Sequence, residues 1–117
     1  MPIQPSRAFA SAGLLVLALV ALPAEGADSI VLVLKGNRFT PNAVIAPAGE
    51  RLRLEIKNED ATPAEFESHD LRIEKIIVPG GRISVLVGPL KPGTYKFFDD
   101  YHPDTANGTL TATPKGQ

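Results

Sequence analysis

The sequence has no cysteine and no tryptophan, and its single methionine is Met1. A chain without cysteine forms no disulfide bonds, so its stability in an oxidising compartment has to come from packing alone. An excess of charge of one sign is also lacking, since 12 basic and 13 acidic side chains leave a formal net charge of −1. With basic residues scattered singly, nothing draws the chain to nucleic acid, and we expect no nucleic-acid partner.

The N-terminal segment has the pattern of a secretory signal. Arg7 precedes an apolar run from Ala8 to Leu22, and Ala24-Glu25-Gly26 supplies a small-residue exit. A positive start, a short apolar core and small residues at the cleavage point define such a signal. Its core is shorter than the roughly 20 apolar residues of a permanent membrane span. An uncleaved membrane anchor remains the alternative interpretation of this segment. We predict a signal peptide over residues 1–26 and a periplasmic mature domain over 27–117, with no stable membrane anchor after cleavage.

Sustained helical periodicity is absent, and short alternating runs take its place. The clearest run puts Leu52, Leu54 and Ile56 on one face and charged residues on the other, which is typical of a half-buried strand. The 11 prolines and 10 glycines fall mostly between such runs and argue against helices. About eight strands are predicted, separated by turn residues. The sequence therefore predicts one all-β domain, a Greek-key β-sandwich.

Acidic residues cluster around a histidine in the loop that follows an aromatic strand. Asp99, Asp100 and His102 lie within four positions. Alternation along the preceding strand places Asp99 on the same face as Tyr95 and Phe97, which we expect to be the core side. A buried carboxylate is costly unless it is paired or bound to a metal. Because aspartate is also common in surface turns, the pattern leaves a solvated acidic loop as an alternative.

A second cluster, Glu65-Phe66-Glu67-Ser68-His69, lies earlier in the chain. If Phe66 points into the core, Glu65 and Glu67 share the opposite face of a strand, where like charges repel unless something positive lies near them. Solvent alone can screen such a pair, so this cluster also has a purely structural interpretation. The two clusters together offer the carboxylate and imidazole groups that suit iron, manganese or copper ions.

Two segments give the chain a resemblance to a known family. The run Leu52-Arg53-Leu54-Glu55-Ile56-Lys57-Asn58 is similar to the L-x-L-x-I-x-N strand that leads to the first metal ligand of cupredoxins. Tyr95–His102, followed by Ala106-Asn107-Gly108, is similar to their Y-x-F-x-C-x-x-H ligand loop. The predicted mature chain resembles a cupredoxin, and most closely the EfeO-type cupredoxin-like family found with bacterial iron-uptake systems.

The resemblance implies a position for each metal ligand. Asp99 stands at the place of the cysteine thiolate, His102 at the place of the histidine, and Glu65 near the place of the first ligand. Ala106 or Asn107 falls where an axial methionine is expected. A blue-copper centre depends on a thiolate with two histidines and a weak axial ligand, so a chain without cysteine cannot form it.

We therefore expect a site with hard ligands for an iron or copper ion. Its candidate ligands are the carboxylates and histidines of the two clusters: Glu65, Asp99, His102, Glu67, Asp100 and His69. The resemblance implies an exported metal-binding protein of an iron-uptake system, with a periplasmic iron-binding protein and an inner-membrane iron permease as partners. Two other functions stay open. One is a ferroxidase that oxidises Fe(II) for a permease, and the other is a metal-free β-sandwich that binds another protein.

Overall fold

The structure is a computed structural model that describes residues 2–3 and 28–115. The predicted signal peptide over 1–26 therefore lies outside the described residues, apart from residues 2 and 3, and it stays a prediction. Across the described residues there is no helix of the length and apolar character that crossing a membrane requires. All of their regular secondary structure is β-strand.

Nine strands form the described domain. They are β1 (Asp28–Lys35), β2 (Arg38–Thr40), β3 (Ala43–Pro47), β4 (Leu52–Asn58), β5 (Ala64–Ser68), β6 (Ile73–Ile77), β7 (Arg82–Val87), β8 (Gly93–Asp99) and β9 (Asn107–Thr113). Eight of them correspond to the predicted strands, and β2 is additional. With three residues it is too short to show alternation, but it pairs with β1 across Gly36 and Asn37. These two residues have φ values of 60° and 56°, as a two-residue hairpin turn requires.

The strands form two sheets that enclose one apolar core. One sheet has four strands in the order β2-β1-β4-β7, and the other has five in the order β3-β9-β8-β5-β6. Most neighbouring strands are antiparallel, whereas β1 pairs with β4, and β3 with β9, in parallel. Connections such as those from β3 to β4 and from β4 to β5 cross from one sheet to the other, as Greek-key connections do, whereas β1–β2, β5–β6 and β8–β9 each stay within one sheet. The predicted all-β sandwich is confirmed.

The core lies between the sheets and follows from strand alternation. Leu52, Leu54 and Ile56 of β4 are completely buried, as their alternation with charged residues predicts. Phe66 of β5 and Phe97 of β8 belong to the same apolar cluster. Burial of such a side chain contributes roughly 1.5–3 kcal/mol. Because successive side chains of a strand point to opposite faces, the residues next to Phe66 and Phe97 lie on the outer face of the five-stranded sheet.

Pairings within the five-stranded sheet bring the two acidic clusters together. β5 lies between β6 and β8, so Glu67 is opposite Glu74 of β6 and opposite Phe98 of β8. β8 ends at Asp99, and the chain then turns through residues 100–106 before it returns as β9. The start of this loop therefore lies beside the outer face of β5.

Candidate metal site

Strand β5 carries two glutamates on its outer face. Ala64, Phe66 and Ser68 are buried, while Glu65 and Glu67 between them are partly exposed. This is the arrangement that the sequence predicts when Phe66 points inward. Because side chains two residues apart in a strand lie on the same face, Glu65 and Glu67 are neighbours on one surface.

Asp100 joins these glutamates from the end of β8. Its backbone N–H donates a hydrogen bond of 2.9 Å to the carbonyl oxygen of Glu65, which holds the start of the loop against β5. One carboxylate oxygen from each of Glu65, Glu67 and Asp100 lies within 4.8 Å of the others. Within residues 2–3 and 28–115, this is the one group of three or more His, Cys, Asp or Glu side chains that converge in this way. We call these three residues the acidic trio.

Negative charge dominates the surroundings of the acidic trio. Glu74 lies directly opposite Glu67, and like charges in such a cross-strand pair are destabilising. Partial burial, the proximity and charge of Glu74 and the charge of Asp100 raise the pKa of Glu65, while the nearby Tyr101 acts in the opposite direction. In the part of the chain that the structure describes, no lysine or arginine forms an ion pair with these carboxylates. Their repulsion is therefore not relieved by a basic side chain of that region.

The raised pKa of Glu65 predicts how the stability of the metal-free protein depends on pH. Glutamates of an unfolded chain titrate near about 4.3, and the folded state holds the Glu65 proton more tightly than that. The resulting stabilisation is complete below the unfolded value and is lost as the pH rises through the higher folded value. The free energy of unfolding in urea is to be measured for chelator-treated wild type and for Glu65→Gln, at several values from about pH 4 to 7. We expect the variant to gain stability relative to wild type as the pH rises, and a constant difference would contradict the shift.

Asp99 and His102 form a second group at the end of β8. Asp99 is only 1% exposed, as alternation along β8 predicts. One of its carboxylate oxygens accepts hydrogen bonds from the backbone N–H groups of Glu65 at 2.9 Å and Tyr101 at 3.0 Å. Its other oxygen lies 3.1 Å from Nδ1 of His102. This buried carboxylate is thus satisfied by hydrogen bonds, which is one of the two ways in which its burial becomes tolerable.

His69 lies at the edge of the acidic trio. Its Nε2 atom is 3.4 Å from a carboxylate oxygen of Glu67, and its side chain is 78% exposed. Its ring also makes an edge-to-face contact with Phe98, at a centroid distance of 5.4 Å. An exposed imidazole at this position is an accessible nitrogen ligand beside one of the three carboxylates.

The six predicted ligands therefore fall into two groups. One is the acidic trio with His69 beside it, and the other is the Asp99–His102 pair. Among the residues that the structure describes, no group of three converging ligand atoms contains Asp99 or His102. The side chain of Glu65 converges with the trio, whereas its backbone N–H contacts Asp99.

Two residues beside the trio are not among the predicted ligands. Glu74 lies opposite Glu67 in the β5–β6 pairing, and Tyr101 lies close enough to Glu65 for each to shift the pKa of the other. Partial burial, followed by the charge of Glu65, raises the pKa of Tyr101. Glu74 is placed opposite Glu67 by the four-residue loop, 69–72, that joins β5 to β6. Tyr101 directly follows Asp100, but no local pattern in the sequence shows that its side chain lies near Glu65, because β5 is distant in the chain.

The order of the strands in two sheets and the loop after β8 define a small β-sandwich of the cupredoxin class. A family model described as a cupredoxin-like domain matches residues 8–112, and the chain belongs to this family. An uncharacterized protein of Rickettsia prowazekii (strain Madrid E) is 47% identical to the chain over 81 residues, which make up 69% of the chain. The match spans 65% of the length of that relative.

Solved cupredoxin structures share this fold. Auracyanin A, a "blue" copper protein from Chloroflexus aurantiacus, has a TM-score of 0.64 and 14% identity, and the match covers 75% of this chain and 100% of auracyanin. A purple cupredoxin from Nitrosopumilus maritimus has a TM-score of 0.57 and 19% identity, covering 71% and 98% of the two chains. Amicyanin from Paracoccus versutus has a TM-score of 0.59 and 15% identity, covering 75% and 84%. At these identities the likeness shows the fold alone.

The candidate ligands of this chain do not fit a blue-copper centre. Such a centre requires a thiolate together with two histidines, and the chain has no cysteine. Asp99, which the resemblance places at the thiolate position, directs its oxygens to two backbone N–H groups and to His102. The side chains that the structure brings together in these two groups offer oxygen and nitrogen atoms to a metal.

Proposed function

We propose that this protein is an exported metal-binding cupredoxin-like protein that holds an iron or copper ion on the outer face of its five-stranded sheet, in the service of iron uptake. The observation that carries the proposal is the convergence of Glu65, Glu67 and Asp100 within 4.8 Å. Carboxylates are hard ligands that suit iron in both oxidation states and Cu(II). His69 adds an imidazole next to Glu67.

The electrostatics of the acidic trio favour a cation over a solvated rim. Glu67 faces Glu74 across the strand pair, and the pKa of Glu65 is raised in part by the charges around it. Both observations indicate repulsion between neighbouring carboxylates in the metal-free protein. No lysine or arginine among the described residues forms an ion pair that would relieve it. A bound cation relieves this repulsion, because an opposite charge within a few ångströms favours the ionised form of each carboxylate.

The chemistry of the ligands also supports a role in iron handling. Several carboxylates around one ion stabilise Fe(III) relative to Fe(II), which favours oxidation of a bound ferrous ion. Turnover as a ferroxidase additionally needs an electron acceptor, so binding and transfer of the ion is the function that we propose. Glu74, opposite Glu67, provides a further carboxylate for an ion of higher charge.

The cellular setting of the proposal rests on the sequence. The signal pattern over residues 1–26 supports export to the periplasm. The resemblance to EfeO-type domains supports a place in a bacterial iron-uptake system. A periplasmic iron-binding protein and an inner-membrane iron permease are then the expected partners for receiving the ion.

The proposal predicts that metal stabilises the folded domain. At a free-ion concentration about 100 times the Kd, binding to the folded state adds about 2.7 kcal/mol to the free energy of unfolding. In a domain of this size, this shift corresponds to a rise in Tm of roughly 10–20 °C. The measurement is calorimetric scanning of chelator-treated protein with anaerobic Fe(II) and, separately, with Cu(II). If neither ion changes the Tm, the proposal fails and the protein-interaction alternative is favoured.

A further inference from the structure

The buried carboxylate of Asp99 connects the segments that carry the acidic trio. One carboxylate oxygen of Asp99 accepts hydrogen bonds from the backbone N–H groups of Glu65 and Tyr101. It therefore links a residue of β5 to a residue of the loop that follows β8. In the same place, the backbone N–H of Asp100 donates a hydrogen bond to the carbonyl oxygen of Glu65. Glu65 and Asp100 provide two of the three converging carboxylates. The backbone geometry of the trio therefore depends on hydrogen bonds at and beside Asp99.

The Asp99–His102 pair is poorly equipped to hold an ion itself. Asp99 already satisfies one oxygen with two backbone donors, and its second oxygen lies against Nδ1 of His102. Among the described residues, no third ligand side chain converges on these two. An ion placed there would have two protein ligands, fewer than the three or four that protein metal sites usually supply.

We propose that Asp99 is a positioning residue: its buried carboxylate closes the interior position where the cupredoxin resemblance places a copper-ligating thiolate, and it holds Glu65 and Asp100 in place for an ion on the outer face. The inference about the ion rests on the proposed function. The inference about the backbone of Glu65 and Tyr101 does not, because it concerns hydrogen bonds of the metal-free protein.

Three variants separate a positioning role from a ligand role. Asp99→Asn keeps an oxygen that accepts from both backbone N–H groups, and its amide donates to Nδ1 of the neutral histidine. His102→Ala leaves these backbone contacts in place. Asp99→Ala removes the acceptor. In calorimetric titrations with anaerobic Fe(II) and with Cu(II), we expect the first two variants to keep the affinity within about threefold and Asp99→Ala to lose about tenfold or more.

A tenfold loss of affinity in Asp99→Asn or His102→Ala would overturn the proposal, because it would make the Asp99–His102 pair part of the metal site. Unchanged affinity in Asp99→Ala would overturn it as well. If the alanine variant does not fold, Asp99→Ser takes its place. The serine side chain is shorter than that of aspartate, so its single oxygen does not reach both amides in the same geometry. The same expectations then apply to that variant.

Amide exchange provides a second test that needs no metal. In chelator-treated protein, the Glu65 and Tyr101 amides are expected to exchange about tenfold faster or more in Asp99→Ala than in wild type, with the β4 amides as internal control. Equal exchange at these two amides contradicts the positioning role. If wild type binds neither ion, the proposed function fails while this comparison still decides the role of Asp99.

Discussion

Replacing Phe97 with alanine is expected to lower the free energy of unfolding by about 3–5 kcal/mol. Phe97 is 1% exposed, and its ring lies 5.2 Å from the ring of Phe39 and 5.6 Å from that of Phe66. The ring also approaches Gly108 so closely that a Cβ atom there would overlap it. Neighbours packed this tightly against a rigid sandwich relax only partly into a cavity, so the cost includes the cavity as well as the lost burial.

Phe98 provides the matched control, because it is the next residue and carries the same side chain. It lies on the outer face, where it is only partly buried and contacts His69. Phe98→Ala is expected to cost about 1 kcal/mol, since less apolar surface leaves water there on folding. Urea unfolding of both variants gives the comparison. Equal losses in the two variants would show that Phe97 is not packed in the core as the structure has it.

Neutralising the acidic trio is expected to weaken metal binding strongly without harming the fold. In Glu65→Gln/Glu67→Gln/Asp100→Asn, each substitution keeps the size of the side chain and removes a charged ligand. If each lost ligand costs about tenfold in affinity, the triple variant loses about 100-fold or more even when the effects are not fully additive. The metal-free variant should be at least as stable as wild type, because the repulsion with Glu74 is removed.

The control for this variant changes net charge equally at carboxylates on and beside the other sheet. Asp28→Asn/Glu55→Gln/Glu59→Gln alters residues in β1, in β4 and just after β4. Isothermal titration with anaerobic Fe(II) and with Cu(II) should give wild-type affinity for this control, apart from a small long-range electrostatic effect. Comparable losses in the two triple variants would mean that net charge, rather than the trio, attracts the ion.

The fold could be predicted from the sequence because its signals are local. Alternation in β4 gave the buried face of Leu52, Leu54 and Ile56, and alternation in β8 gave the burial of Asp99. Such patterns show which face of a strand is buried, because side chains two residues apart point to the same face. β2 escaped prediction for the same reason, since three residues with only Phe39 buried do not make a periodic pattern.

The site could be predicted only in part, because it depends on contacts between segments distant in the chain. That Glu65 and Glu67 share one face follows from the alternation of a single strand. The approach of Asp100 depends on how β8 lies beside β5. The sequence shows that Asp99 is buried but not which groups satisfy it. Two of its partners are backbone N–H groups, which every residue but proline carries and which therefore leave no trace in the sequence.

Membership in the cupredoxin-like family fixes the scaffold and leaves the chemistry to particular side chains. The chain lacks the sulfur ligand that blue-copper chemistry requires. It presents instead a carboxylate surface built from β5 and the loop after β8. The proposed function thus differs from electron transfer, although the sandwich is the same.

Anomalous X-ray scattering from crystals of the protein grown with Fe(II) or Cu(II) tests the location of the ion most directly. We predict a peak within about 2.5 Å of carboxylate oxygens of Glu65, Glu67 and Asp100, on the outer face of the five-stranded sheet. A peak between Asp99 and His102, or no peak at the trio in crystals that contain the ion, would contradict the account.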